Sequence, residues 1–385
     1  MTIIRGFVED IRCFGPLVFL IIRESSTLTS ICKKSQFVVR DQLLVLESKK
    51  LVRESYIQIS GILEENQRAK MDSYATTGIN CLSLTESIGG ASLVKPRSRP
   101  HLEFECVEFR RKEYHEILIA NAIAKTELRK TLHQLDFVEL TTPKLLSGFT
   151  EGGADLFKID SPTPLFLSQS PQLHKQAAIN MGIEKVFEIG PIYRAEKFKT
   201  PRHLNETICW DTELATESLT QVMSIIKTGI INMSNQLNQR FSYVDSCSEA
   251  DFKVVSYDQV IEKMELIPEQ TLTIEQERKV PSTFGCKYVF ITHYPQLQKP
   301  FYIKDRQSFD LVCATGELAS GGIRENSHSK LVHQLEERNI NLNTMGWYVQ
   351  MFKIGTPVSG GFGLGLDRLI SYLLNLSNIK YCKIF

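Results

Sequence analysis

The sequence predicts an α+β protein: a small N-terminal β-barrel of the OB type, followed by a larger domain in which helices flank an antiparallel sheet. Three observations predict it. Residues 1–95 are short β-branched and aromatic runs broken by turn residues, with one helical stretch after the third run. A long amphipathic pattern then occupies Arg111–Leu135. Beyond it, strands and helices alternate without the strict βαβ rhythm of a parallel sheet. A chain of 385 residues, at about 150 residues per domain, has room for two or three domains.

Ile3–Val8, Pro16–Glu24 and Leu28–Cys32 read as the first three strands, Val38–Lys49 as the helix, and Tyr56–Leu63 and Asn80–Leu84 as the last two strands. Gly89–Pro100, GGASLVKPRSRP, combines glycine and proline breaks with three basic residues and reads as a linker. The domains therefore divide as 1–88, a connection at 89–110, and 111–385. In the long helix Leu118, Ala122, Lys125, Leu128, Leu132 and Leu135 recur at spacings of three and four. Phe137–Leu140 is a strand, followed by Pro143. Leu165–Ser168, Lys185–Gly190, Thr207–Leu214 and Tyr288–His293 read as neighbours in one antiparallel sheet, and residues 215–285 as helices.

Composition narrows the function classes. Lys plus Arg number 45 and Asp plus Glu 44, a net charge of +1, which excludes a uniformly basic nucleic-acid coat but leaves room for a local basic groove. No apolar run approaches the roughly 18–20 residues of a membrane span, and MTIIRGFVEDIR lacks the charged and apolar regions of a secretory signal. The nine cysteines are scattered without a CxxC pair, which speaks against a zinc site or a disulfide framework. A reducing, cytoplasmic setting with no membrane partner is the expectation.

The polar chemistry concentrates in three clusters. In Phe187–Glu206 an apolar strand ends in Gly-Pro and then carries Arg194 and Glu196 on one face, because strand side chains repeat every two residues. A loop with Lys197, Lys199, Arg202 and His203 follows, and Asp211 and Glu213 repeat the spacing on the next strand. In Ser308–Arg324, Asp310 and Glu317 flank a hairpin, and two such carboxylates suit Mg²⁺, which keeps phosphates and waters as its other ligands. In Ser359–Leu373 a spaced glycine run opens an apolar helix bearing Asp367 and Arg368. Glycines admit a ligand close to the backbone, a helix start favours anions, and arginine offers phosphate a planar fork. Each cluster alone has a bland reading: a solvated hairpin, loop carboxylates, a flexible glycine run. Together they suit nucleotidyl transfer, where catalysis is mostly positioning and charge neutralisation.

At these residues the chain resembles the class II aminoacyl-tRNA synthetases, and within them the archaeal/eukaryotic-type aspartyl-tRNA synthetases. The segment around Pro143 resembles the family's first motif, YRAEKFKTPRHLNE the second and GGFGLGLDRL the third; TEGGADLF and SQSPQLHKQ are similar to the subfamily's own wording. The resemblance implies a class II catalytic domain behind an anticodon-binding barrel, with ATP and L-aspartate as substrates, Mg²⁺ as cofactor, a homodimer, and tRNA as partner (that for aspartate, and that for asparagine as a second candidate). It implies that Arg194 grips the α-phosphate and that Glu196, Arg202 and Leu204 contact the nucleotide. His203 and Arg368 would hold the outer phosphates, with Glu317 and Gly365 beside them. Asp310, Glu317 and Ser320 would form the metal site. Glu151 would close over the amino acid, Ser170, Gln172 and Asp211 would bind its α-amino and carboxylate ends, and Lys175 with Arg324 would neutralise its side-chain carboxylate. Phe19 would stack on an anticodon base.

The chain departs from the family pattern in places. Ser30 stands where the barrel usually offers glutamine to the anticodon, Thr207 where many relatives place phenylalanine under adenine, Val358–Ser359 where Pro-His is frequent, and Glu105 where arginine is usual. Three further functions share the scaffold: an asparagine synthetase-like paralogue that amidates aspartyl-adenylate, an asparaginyl-tRNA synthetase, and a non-catalytic tRNA-binding relative. Lys175 argues against the asparaginyl enzyme, which usually carries an apolar residue there. The retained Arg194, Glu317 and Arg368 argue against the non-catalytic relative.

Overall fold

A computed structural model describes residues 1–64, 71–83, 110–147, 156–195, 203–268, 270–340 and 342–383. The chain forms two compact units, one from Met1 to Ile119 and one from Ala120 to Lys383.

In the first unit β1 (Thr2–Phe14), β2 (Leu17–Glu24), β3 (Lys34–Val39), β4 (Tyr56–Glu64) and β5 (Asp72–Ser83) close a barrel in the order β1-β2-β3-β5-β4, with α1 (Gln42–Ser48) after the third strand. Closure needs one parallel pair, β3 with β5; β4 then returns antiparallel to β1. Alternation drives it: Val18, Leu20, Ile22, Phe37, Val39, Ile57 and Ile59 point inward and are buried. Asp41 starts α1 by accepting from the Leu43 and Leu44 amides at 3.0 Å each.

The barrel is as expected, but its third strand is not Leu28–Cys32. That stretch turns back on itself, with Thr27 and Ser30 exchanging main-chain hydrogen bonds and Cys32 at φ 44°. Local hydrogen bonding there outweighs β propensity. Val38 and Val39 complete β3 instead of opening the helix. β5 begins at Asp72, well before Asn80, because its polar DSYATTGIN half still pairs with β3 and β4.

In the chain's next stretch, α2 (Lys112–Gln134) leads to β6 (Val138–Glu139). From Ala120 onward the helix buries Ala120, Ala124, Leu128 and Leu132, whereas Leu118 and Ala122 of the expected stripe are exposed. β7 (Leu145–Leu146), β8 (Lys158–Ile159) and β9 (Leu165–Leu167) make a small separate sheet in the order β7-β9-β8, so Leu165–Ser168 does not join the main sheet as expected.

The main sheet contains β10 (Lys185–Tyr193) and β11 (Glu206–Ala215), which follow α3 (Gln172–Asn180). After α4 (Leu219–Arg240) come β12 (Phe252–Ser256), α5 (Tyr257–Lys263), α6 (Ile274–Phe284) and β13 (Tyr288–Thr292). The hairpin β14 (Ile303–Cys313) and β15 (Gly316–Arg324), helices α7 (His328–Glu337) and α8 (Gly346–Lys353), β16 (Ser359–Gly365) and α9 (Leu366–Leu373) complete the unit. The sheet has eight strands in the order β12-β13-β14-β15-β16-β11-β10-β6, antiparallel except at its two ends. β13 is thus separated from β11 by three other strands, so Tyr288–His293 is in the sheet but is not a neighbour of Thr207–Leu214. β12 interrupts the region expected to be helical.

Glu188 on β10 fastens the segment around Pro143: it accepts from the Thr142 amide (3.2 Å) and hydroxyl (2.6 Å) and from Lys144 Nζ (2.7 Å). Among the described residues no helix is long and apolar enough to cross a membrane.

Candidate functional site

Sheet register builds the site. Because alternate residues share a face, Glu188, Asp211, Gly363, Ser320 and Asp310 form one row across β10, β11, β16, β15 and β14. Glu213, Gly361, Gly322 and Ser308 form the next row on the same face. Glycines at the centre of both rows leave a trough, with charged side chains on either bank.

Gly361 has no room for a side chain. A Cβ there would stand 2.2 Å from both Glu213 Oε2 and the Thr212 carbonyl oxygen. The trough opens into a cleft of about 320 Å³. Ser170, Gln172, Arg194, His203, Leu204 and Asp211 line it on one side, and Glu317, Ser320, Arg324, Gly365 and Arg368 on the other.

At one end lies a buried charge cluster. Arg324 is 2 % exposed and bidentate on Glu213, which is fully buried: Nε to Oε1 and Nη2 to Oε2 are both 2.9 Å. Arg324 Nη2 also donates to Gln172 Oε1 at 3.1 Å. Ser359 donates to Glu213 Oε1 at 2.8 Å and so braces the same carboxylate. α3 delivers Lys175 from beneath. Its Nζ lies 3.0 Å from Asp211 Oδ1 and 3.8 Å from Glu213 Oε2, just behind the cleft wall. Two cations thus meet two anions inside the protein, as buried charges require. Cys209, beside Asp211, is a neutral wall residue: burial, reinforced by that carboxylate, pushes its thiol well up.

At the other end Arg368 Nη1 stands 4.0 Å from Glu317 Oε1. Glu317 is held through its amide, which donates to Glu277 Oε2 at 3.1 Å. Glu317 and Ser320 face the cleft, and these two oxygen ligands fit Mg²⁺, which takes its remaining ligands from phosphate and water. Asp310 is engaged elsewhere: Lys299 Nζ lies 2.5 Å from its Oδ1. Tyr294, whose ring packs under Lys299, has its phenol pushed up by burial and by Asp310. Among the described residues no three His, Cys, Asp or Glu side chains gather as a metal cluster. Thr207 also lines the cleft, and its hydroxyl donates to Asp367 Oδ2 at 3.0 Å.

The structure therefore brings Ser170, Gln172, Arg194, His203, Leu204, Asp211, Glu317, Ser320, Arg324, Gly365 and Arg368 to one cleft, with Lys175 and Asp310 directly behind it. Glu151, Glu196 and Arg202, like Glu105, lie outside the described residues. Phe19 is on the barrel, half-buried on the outer face of β2, edge-on to Phe14 at 5.7 Å and opposite Arg12 in register. Sequence reasoning missed Lys299, Asp367 as a clamp, and Glu213 as the partner of Arg324. Only Glu213 left a signal, its spacing of two from Asp211.

Comparison with known proteins gives the family. Residues 98–385 match the family model of the tRNA synthetases class II (D, K and N). The aspartate–tRNA(Asp/Asn) ligase of Haloquadratum walsbyi is 32% identical, over 99% of this chain and 94% of its own. The aspartate–tRNA(Asp) ligase of Thermoplasma volcanium is 30% identical over 99% and 94%. The structure of asparaginyl-tRNA synthetase from Pyrococcus horikoshii complexed with asparaginyl-adenylate aligns with a TM-score of 0.88 at 25% identity, covering 100% of this chain and 94% of that one.

Proposed function

The chain belongs to the class II tRNA synthetases of the D, K and N group, and we propose that it is an aspartate–tRNA ligase. In the first step an oxygen of the aspartate α-carboxylate attacks the α-phosphorus of ATP, giving aspartyl-adenylate and pyrophosphate. In the second a hydroxyl of the terminal tRNA ribose attacks the aspartyl carbonyl and AMP leaves.

The paired buried cations support the choice of aspartate. Lys175 and Arg324 stand together at one end of the cleft, each hydrogen-bonded to a single carboxylate, Asp211 and Glu213. A substrate carboxylate suits two such cations as a shared partner. The amide of asparagine carries no charge to meet them. On this reading Asp211 receives the α-ammonium group, Ser170 and Gln172 frame it, Arg194 takes the α-carboxylate and α-phosphate, and Arg324 with Lys175 takes the side chain. His203 and Arg368 hold the outer phosphates, Glu196, Arg202, Leu204 and Gly365 the nucleotide, and Glu151 closes over the amino acid. Mg²⁺ at Glu317 and Ser320, with Asp310 behind them, would neutralise phosphate charge.

The same proposal assigns residues 1–88 to anticodon binding through Phe19, 89–110 to a linker and 111–385 to catalysis. It includes a homodimer, supported by the outer edge of β6, which pairs with no strand among the described residues, and by the exposed Val138 and Leu145. A cytoplasmic setting is part of the same proposal.

Aspartate-dependent pyrophosphate–ATP exchange, followed by transfer of labelled aspartate to tRNA, tests the proposal. Both are expected. Exchange with release of free asparagine in ammonia would point to the amidating paralogue, preference for asparagine to the asparaginyl enzyme, and no exchange to a non-catalytic protein.

A further inference from the structure

Lys175 has three N–H donors and no acceptor, and the protein occupies all three. Asp211 Oδ1 is at 3.0 Å, the Thr212 carbonyl at 3.2 Å and the Phe362 carbonyl at 2.9 Å. The two carbonyls belong to paired positions of β11 and β16 and are fixed by the sheet. Lys175 is 2 % exposed and therefore cannot turn to solvent. Asp211 alone among its partners is a side chain on the cleft wall. On Arg324, Nε and Nη2 are committed to Glu213 and Gln172, so what it can turn to a side-chain carboxylate is Nη1, and a second donor has to come from Lys175. Gly363 leaves Asp211 space to turn, because a Cβ there would stand 3.2 Å from Oδ1.

We propose that Asp211 is a shared partner that couples the two halves of amino-acid recognition. The substrate's α-ammonium group draws Asp211 Oδ1 off Lys175, and the N–H so released is the donor that the side-chain carboxylate accepts. The amine is read first in energetic terms, because without it the lysine stays capped. This rests on the reading of the cleft as an aspartate site and adds to it a rule: a dicarboxylate lacking the amine is refused although its carboxylates match.

Calorimetric titration of the full-length protein tests the coupling without any variant. Adding the side-chain carboxylate, from alanine to aspartate, is expected to improve affinity at least tenfold more than the same addition from propionate to succinate. Equal gains in the two pairs overturn the proposal. Two variants sharpen it. D211A uncaps Lys175 and is expected to lose aspartate affinity while gaining succinate affinity about tenfold. D211N removes the same charge but keeps an oxygen on Lys175, so its gain is expected to stay below about a third of that. In D211A/K175M the gain disappears. Equal gains in D211A and D211N reduce the effect to charge and overturn the coupling, as does no gain in a D211A protein whose thermal melt is cooperative. Wild-type protein that binds succinate as well as aspartate overturns the coupling and leaves the ligase reading standing; protein that ignores aspartate overturns both.

Discussion

Beside Lys175 on α3 stands His174, half-buried, its Nδ1 without a hydrogen-bond partner among the described residues. Burial pulls its pKa below the ordinary 6.5; Glu188 opposes this and Lys144 adds to it. A histidine depressed in the folded state binds fewer protons there than in the unfolded chain. Its contribution is therefore complete above pH 6.5 and is lost as pH falls through the lower folded value. Urea midpoints are expected to drop as pH falls below 6.5 and to drop less steeply there in His174→Gln. An unchanged slope in the variant would assign the drop to other groups. At this scale the site was legible wherever a residue's chemistry is declared by its neighbours in sequence, as for Arg194, Asp211 and the glycine run. It was not legible where partners are remote. Asp367 clamps Thr207 across 160 positions and Lys299 meets Asp310 by folding back over a turn, and neither leaves a local pattern.

α4 packs against the strands of the site, and its tightest point is at Trp210. Trp210, fully buried on β11 beside Asp211, lies edge-on to Phe362 at 4.9 Å and faces α4 at Gly229. A Cβ on Gly229 would stand 2.4 Å from Trp210 Cη2. Alanine gains about 1 kcal/mol of helix propensity over glycine, but overpacking a wedged indole costs about 1–3 kcal/mol. Gly229→Ala is therefore expected to lower unfolding free energy by up to roughly 2 kcal/mol and, by shifting β11, to raise the KM for aspartate. Greater stability with unchanged KM would show that the indole moves aside freely. Elements long enough to repeat their pattern were legible, such as α2 and the β10–β11 pair. Short ones were not: FKVVS of β12 carries too few residues to declare a period, and the Leu28–Cys32 stretch has strand composition but turn hydrogen bonds.

The molecule as a whole keeps two cores, one inside the barrel and one set around the eight-stranded sheet. Two cores permit two separable jobs. Phe19→Ala, which removes a half-buried outer-face ring, is expected to weaken tRNA charging by about 1–3 kcal/mol, the usual loss of a base–aromatic stack. Pyrophosphate exchange without tRNA is expected to stay at the wild-type rate. A matching fall in exchange would mean the ring serves barrel stability instead. The barrel's topology was readable in outline from strand count and helix position. The particular pairing that closes it was not, because β3 and β5 are joined in parallel from segments that share no sequence signal.

A binding floor made of peptide backbone behaves differently from one made of side chains. At Gly361 and Gly322, which carry the buried charge cluster beside the cleft, every possible replacement adds atoms where main-chain oxygens already stand within 2.4 Å of the missing carbon. Natural variation therefore has no gentle step available there, and any drift in what the cleft accepts has to begin at side chains that line it, such as Thr207, His203 and Ile379. Retuning this protein toward another substrate is accordingly a task for the banks of the trough rather than for its bed.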